Sequence, residues 1–253
     1  MKIQLEHYGR PYRADLDQPI DISIPLLQQE EQVNCFYAPP YETFPVVAGS
    51  FVGSTAQGGL VNFLNVKLNP HGNGTHTECV GHIATEKYSI HKCLTNFHKI
   101  AKLHTVYPTV LENGDQVILW SQLKAAIPVE DRVDTLIIRT LPNDPEKLTR
   151  NYSGSNPPYV HHEAITYLVN LGIKHLLIDL PSVDRESDDG LLLAHKAFWK
   201  YPDEVRSDCT ITELVYIPDA IEDGLFLLNL QIASFDIDVS PSKPVLYKLL
   251  PAS

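Results

Sequence analysis

Residues His71–Ile83 read "HGNGTHTECVGHI", three histidines and a glutamate set among glycines. This stretch governs both the fold and the chemistry the chain can have. In extended or loosely turned backbone, His76 and Glu78 stand two residues apart and point the same way, while His82 returns across a glycine turn. Two imidazoles and a carboxylate then converge on one point. Mixed nitrogen and oxygen donors suit Zn2+ or Mn2+ better than thiolate-preferring ions. His71 offers a further group, with its direction left open by Gly72 and Asn73. Cys79 alternates with Glu78 and points away from it, as a small packing residue. Singly, each histidine reads as an exposed turn residue; the three histidines with Glu78 read as a ligand set.

Outward from this stretch, "LVNFLNVKLNP" (60–70) is extended and runs straight into it, so the ligands sit at a strand end and on the glycine-rich turn beyond. Further upstream, "PIDISIPLL" (19–27) alternates as a first strand, followed by the Pro- and Tyr-rich "NCFYAPPYETFP" (34–45), expected as a surface loop. Downstream, "DTLIIRT" (134–140) is a buried-strand pattern, and "HHEAITYLVNLGI" (161–173) repeats apolar residues at helical spacing before Gly172. "KHLLIDLPSVD" (174–184) reads as another buried strand ending in an acidic loop, with further strands in "GLFLLNLQIASFDID" (224–238) and "PVLYKLL" (244–250). Strands outnumber helices, and their pairing order is not legible.

The chain has 253 residues, 43% of them hydrophobic and 20% charged, an ordinary soluble composition that fits one α/β domain spanning 1–253. A net charge of −11 argues against nucleic acid or an anionic membrane as partner, since either needs clustered Lys and Arg. A small-molecule substrate is expected instead. No apolar run approaches the roughly 20 residues of a membrane span, and "MKIQLEHYGR" lacks a signal-peptide core, so a cytoplasmic location is expected. Cys35, Cys79, Cys93 and Cys209 form no CxxC pair and read as reduced thiols.

"GTHTECVGH" resembles the cyclase family of metal-dependent hydrolases, which includes bacterial kynurenine formamidase and isatin hydrolase. The family motif runs His-x-Gly-Thr-His-x-Asp-x-Pro-x-His. Gly74, Thr75, His76 and His82 match it, Glu78 stands for the aspartate, and Val80 stands for the proline. The first histidine falls at Gly72, with His71 one residue earlier. "DISIPL", "LIIRT", "LLIDLPSVD" and the C-terminal strands follow in the family's order, so the resemblance covers most of the chain. It implies a single-domain mixed β/α fold of the swivelling β/β/α, kynurenine formamidase-like kind.

The resemblance also implies a metal site completed by a downstream histidine and a later glutamate, at His195 in "LLLAHKAF" and Glu213 in "TITELVYI". Alone, His195 would read as a packed core histidine. Glu213 would read as an edge-strand carboxylate, although burying it unpaired would be costly without a cation. Expected metal ligands are therefore His71, His76, Glu78, His195 and Glu213, holding one or two divalent ions, Zn2+ or Mn2+. His82 takes the family's acid/base role, and Phe36 and Tyr37 lie where relatives place an aromatic against the substrate. His161 and His162 are candidate substrate-side contacts only, and Asp179 and Asp184 are read as turn-capping, solvated residues. The implied activity is hydrolysis of a small amide, formamide or cyclic amide. A lactone hydrolase or cyclase on the same scaffold and a non-catalytic metal-binding protein are the alternatives. The resemblance further implies a homo-oligomer, a dimer or tetramer.

Overall fold

The computed structural model describes residues 1–28, 32–124 and 132–252. Its centre is a set of strands, most of which pack apolar residues on both faces. β1 is His76–Glu78, β2 His98–Val106, β3 Thr135–Thr140, β4 His175–Ile178, β5 Thr210–Glu213, β6 Gly224–Ile232 and β7 Val239–Lys248. Their order is β6-β2-β3-β4-β5-β1-β7, and β7 pairs back onto β6, so the sheet closes into a seven-stranded barrel. β2 to β5 run parallel, while β1, β6 and β7 join antiparallel to their neighbours. The short strand Ile20–Asp21 adds to the free edge of β7.

Closure divides the apolar residues by the period of two that a strand imposes. On β3, Ile137 joins the cluster inside the barrel with Ala101, Leu103, Leu177, Phe226 and Leu246. Its neighbours Leu136 and Ile138 join the outer cluster with Leu176, Ile178 and Ile211. Strands covered on both faces read as continuous apolar runs, which is why "TLIIRT" and "HLLI" were legible. The outer layer is completed by α1 (His162–Asn170) and α2 (Leu193–Trp199), which bring in Ile165, Leu168, Phe198 and Trp199. Full burial of each such side chain is worth about 1.5–3 kcal/mol.

The mixed β/α, strand-rich architecture matches the expectation, with several local differences. The segment 19–27 supplies only Ile20–Asp21 and a bridge from Ser23 to Val215, because Pro25 ends the pairing. The chain's first strand is Lys2–His7, in a hairpin with Arg10–Asp15. Within 60–70 only Leu64–Lys67 is strand, and it pairs outside the barrel with Glu42–Pro45. The last expected strand begins earlier, at Val239. Among the described residues, no helix is long and apolar enough to cross a membrane.

Candidate metal centre

The register β5 to β1 sets the site. Ile211 faces Glu78 and Glu213 faces His76. Ile211 belongs to the outer cluster, so His76, Glu78 and Glu213 share the outer face, beneath α2. Thr77 and Thr212 take the other face, their hydroxyls hydrogen-bonded at 2.8 Å, and Cys79 follows them into the inner cluster.

Upstream, Asn69 caps a single helical turn, Pro70–Asn73, by accepting from the Gly72 N–H. That turn swings His71 onto the same face as β1 and resolves the one-residue offset in the motif. Gly72 is required by close approach: a Cβ there would lie 2.2 Å from the Ala38 Cβ. Thr75 then locks the strand entrance, donating its hydroxyl to the Leu214 carbonyl and accepting from the Ile24 N–H at 2.7 Å.

The hydrogen bonds fix which imidazole nitrogens face inward. His76 Nδ1–H donates to the Gly74 carbonyl at 2.9 Å, which turns its Nε2 toward Glu213 Oε2, 3.3 Å away. His195 Nδ1–H donates to Asp184 Oδ2 at 2.6 Å, and its Nε2 lies 3.1 Å from Glu78 Oε1. His71 Nδ1 is 3.3 Å from Glu78 Oε2, and its Nε2 is 3.0 Å from Asp238 Oδ2. His82 Nδ1 stands 3.7 Å from both Glu78 Oε2 and Asp238 Oδ2. Glu213 Oε1 accepts from the Val183 N–H at 2.9 Å. The structure thus brings together all five expected ligands and His82.

The electrostatics are those of a site built around positive charge. Burial opposes charge on His71 and on His195. The Asp238 and Glu78 carboxylates nonetheless hold His71 up to about 10, and Asp184 and Glu78 do the same for His195. Glu78 is fully buried, which disfavours its charge, yet the imidazoles of His82, His195 and His71 keep it well below the usual carboxylate range. His76 Nε2 and Glu78 Oε2 are buried with no hydrogen-bond partner. Two acceptors left bare among carboxylates and imidazoles match the donor set of a divalent cation. Ligand atoms of His71, His76 and Glu78, of His71, His82 and Asp238, and of Glu78, His82 and His195 each converge within 4.8 Å.

A cavity of about 250 Å³ opens onto this cluster, with Phe36, His71, His82, Leu192, His195 and Glu213 on its walls. Phe36 reaches it from a left-handed backbone, φ 56°. Tyr37 does not line it: its N–H donates to Ser153 Oγ at 2.9 Å, and the residue is 79% exposed. His161 and His162 border an adjoining cavity of about 330 Å³ that shares Asp184 and Arg185. His161 also caps α1 by accepting from the Glu163 N–H. Arg185 is held by Asp115, Nε to Oδ2 at 3.0 Å.

Two acidic residues differ from the sequence expectation. Asp184 is buried and gathers the N–H groups of Ala194 and His195 and the His195 ring, so it orients an imidazole. Asp179 is buried in an ion pair with Lys147 at 2.8 Å and accepts from Thr140 N–H and Oγ1; burial pushes its carboxyl up. Asp238 went unrecognised as a site residue because it lies in an acidic loop far along the chain. Only the pairing of Val239 with Glu78 delivers it to the cluster.

Residues 14–185 match the sequence profile of the Cyclase family. The chain belongs to the Cyclase family. No curated protein sequence matches it. Among solved structures, a "potential metal-dependent hydrolase with cyclase activity" superposes with TM-score 0.65 at 16% identity, covering 92% of this chain and 99% of that one. Isatin hydrolase A from Ralstonia solanacearum gives 0.63 at 13% identity, with 91% of each chain covered. An isatin hydrolase bound to the product analogue thioisatinate gives 0.56 at 14% identity and 93% coverage of both. In this Cyclase family member the profile ends at residue 185, so the place of His195, Glu213 and Asp238 in the cluster rests on the structure.

Proposed function

We propose that the protein is a metal-dependent hydrolase that cleaves the C–N bond of a small amide, a formamide or a cyclic amide. The observation that carries this reading is the pair of buried, unpartnered acceptors, His76 Nε2 and Glu78 Oε2. The fold shared with hydrolases of this family supports it. His71, His76, Glu78, His195 and Glu213 would hold the ion, with Asp238 as a further carboxylate beside His71 and His82. Zn2+ fits this nitrogen and oxygen set, and Mn2+ is the alternative, as one or two ions. A divalent cation bound there would supply Lewis acidity, polarising a carbonyl and lowering the pKa of a bound water toward neutrality.

The chain's own residues supply the rest. His82 is the acid/base group: it lies on the cavity wall beside the Glu78 and Asp238 carboxylates and gives a proton to the departing nitrogen. Asp184 holds His195 in one tautomer and one orientation. Phe36 offers an apolar wall to a flat substrate ring. The burial of His76 and Glu78 keeps bulk water from competing for their donor atoms.

The test is elemental mass spectrometry of protein purified without chelator or nickel affinity, followed by a panel of aryl formamides, isatin, esters and lactones. One or two ions per chain, with C–N hydrolysis lost on chelation and restored by metal, is the expected result. No bound metal even after metal is added back overturns the reading. Metal bound without turnover of any compound assigns a metal-binding role instead, and turnover of lactones alone moves the substrate class.

A further inference from the structure

Of the four cysteines, Cys35, Cys79 and Cys209 are buried and Cys93 is half-buried. Cys93 ends the helical turn Ile90–Cys93 and borders a surface cavity of about 310 Å³, which Lys87, Ser89, Lys92 and Asp208 also line. It is therefore the thiol that a dissolved reagent reaches most directly. Its neighbour is Cys79, and the same short segment anchors both. The Cys79 N–H donates to the Asp238 carbonyl at 3.0 Å, and the Ile90 N–H donates to the Ile237 carbonyl at 2.8 Å. Between them the chain doubles back so tightly that a Cβ on Gly81 would lie 2.7 Å from the Tyr88 carbonyl oxygen.

This path packs Cys93 against the inner apolar cluster that holds Cys79, and the two thiols are hydrogen-bonded to each other. The bond from Cys79 holds the Cys93 thiol below its ordinary pKa, although burial opposes this. The same bond, together with burial, pushes Cys79 up. A thiol that ionises readily where solvent reaches it is the setting of a reactive cysteine. A second thiol in contact is the resolving partner that converts its first oxidation product into a disulfide.

We propose that Cys93 is a site of reversible oxidation by hydroperoxides, closing a disulfide with Cys79 beside the metal centre. The Cys93 thiolate attacks one peroxide oxygen, the O–O bond breaks, and the other oxygen leaves as an alcohol or water after taking a proton. Cys93 is then a sulfenic acid. The Cys79 sulfur attacks the Cys93 sulfur, the S–O bond breaks, and the hydroxyl leaves with the Cys79 proton as water. Both sulfurs are oxidised and both peroxide oxygens are reduced. The disulfide reaches the metal centre through Cys79, which directly follows Glu78 in the chain. A disulfide holds its sulfurs closer than hydrogen-bonded thiols stand, so closure draws the end of β1 toward Ile90–Cys93. Ligand distances at a metal hold to within about 0.2 Å, so a shift of Glu78 by part of this motion weakens the hold on an ion. This coupling rests on the metal-binding reading proposed above, whereas the disulfide does not.

Peptide mapping by mass spectrometry without reductant, after titrating the full chain with hydrogen peroxide, tests this. The peptides holding Cys79 and Cys93 should become linked before Cys35 or Cys209 reacts, and dithiothreitol should separate them. Cys79→Ser should leave Cys93 as a sulfenic acid that dimedone labels. Cys93→Ser should keep its far-ultraviolet circular dichroism, because the side chain is only half-buried, and should leave Cys79 reduced at the same dose. Oxidised wild type should bind Zn2+ with a Kd raised about tenfold or more, while Cys93→Ser should bind it as reduced wild type does, before and after peroxide. Thiols that all stay reduced overturn the proposal, and so does a Cys93 that oxidises further without linking to Cys79. A linked pair with unchanged Kd overturns the coupling to the centre, as does a Kd already raised in reduced Cys93→Ser. A reduced wild type that binds no Zn2+ overturns the metal reading and leaves the disulfide to be judged by the linked peptides alone.

Discussion

Replacing Asp184 with Asn tests how the site would hold the proposed ion. Asp184 accepts from Ala194 N–H at 2.7 Å, His195 N–H at 3.1 Å and His195 Nδ1–H at 2.6 Å. An Asn oxygen keeps one acceptor for the helix start but removes the negative charge behind the ring. A charge-assisted hydrogen bond contributes about 1.5–3 kcal/mol against about 1 for a neutral one. The lost difference of about 1–2 kcal/mol corresponds to a metal Kd raised about tenfold or somewhat more, within the 10–100-fold range for partners of ligating histidines. The pH dependence gives a sharper signature. Although burial disfavours its charge, metal-free His195 titrates at about 10, held up by Asp184 and Glu78, so a proton competes with the ion below that pH. The substitution lowers this pKa and relieves the competition, which partly offsets the weaker ligand. The loss in affinity should therefore be small near pH 6 and largest near pH 10. Titration of Zn2+ against a chromophoric chelator at several pH values reads this directly. An unchanged Kd, or a loss uniform with pH, refutes the positioning role; a wild-type protein that binds no ion refutes the centre itself.

Three other outcomes follow from the same geometry. His82→Ala should lower turnover by about 100-fold or more while elemental analysis shows the ion retained, whereas loss of the ion would make His82 a ligand. Gly72→Ala should destabilise by about 3 kcal/mol, because the Ala38 Cβ at 2.2 Å cannot rotate away; calorimetry should show Tm lower by roughly 5–10 °C, and an unchanged Tm would contradict that close approach. His175 is buried against Thr210 and its pKa falls from 6.5 to about 4, chiefly through desolvation. The unfolded chain then takes up the proton first, so this contribution is complete above pH 6.5 and lost as pH falls through 4. Between pH 7 and pH 5, urea denaturation should show the wild type losing about 2 kcal/mol more than His175→Gln; equal losses would remove His175 as the source.

The strands β3 and β4 were legible because both of their faces are apolar, and α1 because its apolar residues recur at helical spacing before Gly172. β2 was not, although it is nine residues long. Lys99, Lys102 and His104 interrupt its pattern, and only Ala101, Leu103 and Val106 are fully buried, which imitates a polar connector. Barrel closure was illegible for a different reason. It depends on β7 meeting β6 on one side and β1 on the other, a relation between segments that no local period encodes.

The site divides in the same way. His76, Glu78 and His82 lie close in sequence, so spacing alone could gather them. His195, Glu213, Asp184 and Asp238 arrive on separate elements, and the first two were placed by resemblance. β1 shows why the boundary falls there. All three of its residues are polar and all three are buried, a pattern that local rules assign to a turn. It persists as a strand because β5 and β7 pair with it on both sides and because Thr77 is satisfied by Thr212 on the inner face. On the outer face His76 Nε2 and Glu78 Oε2 are buried without a direct hydrogen bond, beside Glu213 Oε2 and His71 Nδ1, each at 3.3 Å. A cation held by His76, Glu78, His195 and Glu213 would join β1, β5 and α2, and with Asp238 it would also reach the residue that precedes β7. An ion of the kind proposed for catalysis would then also tie the closing strands of the barrel together.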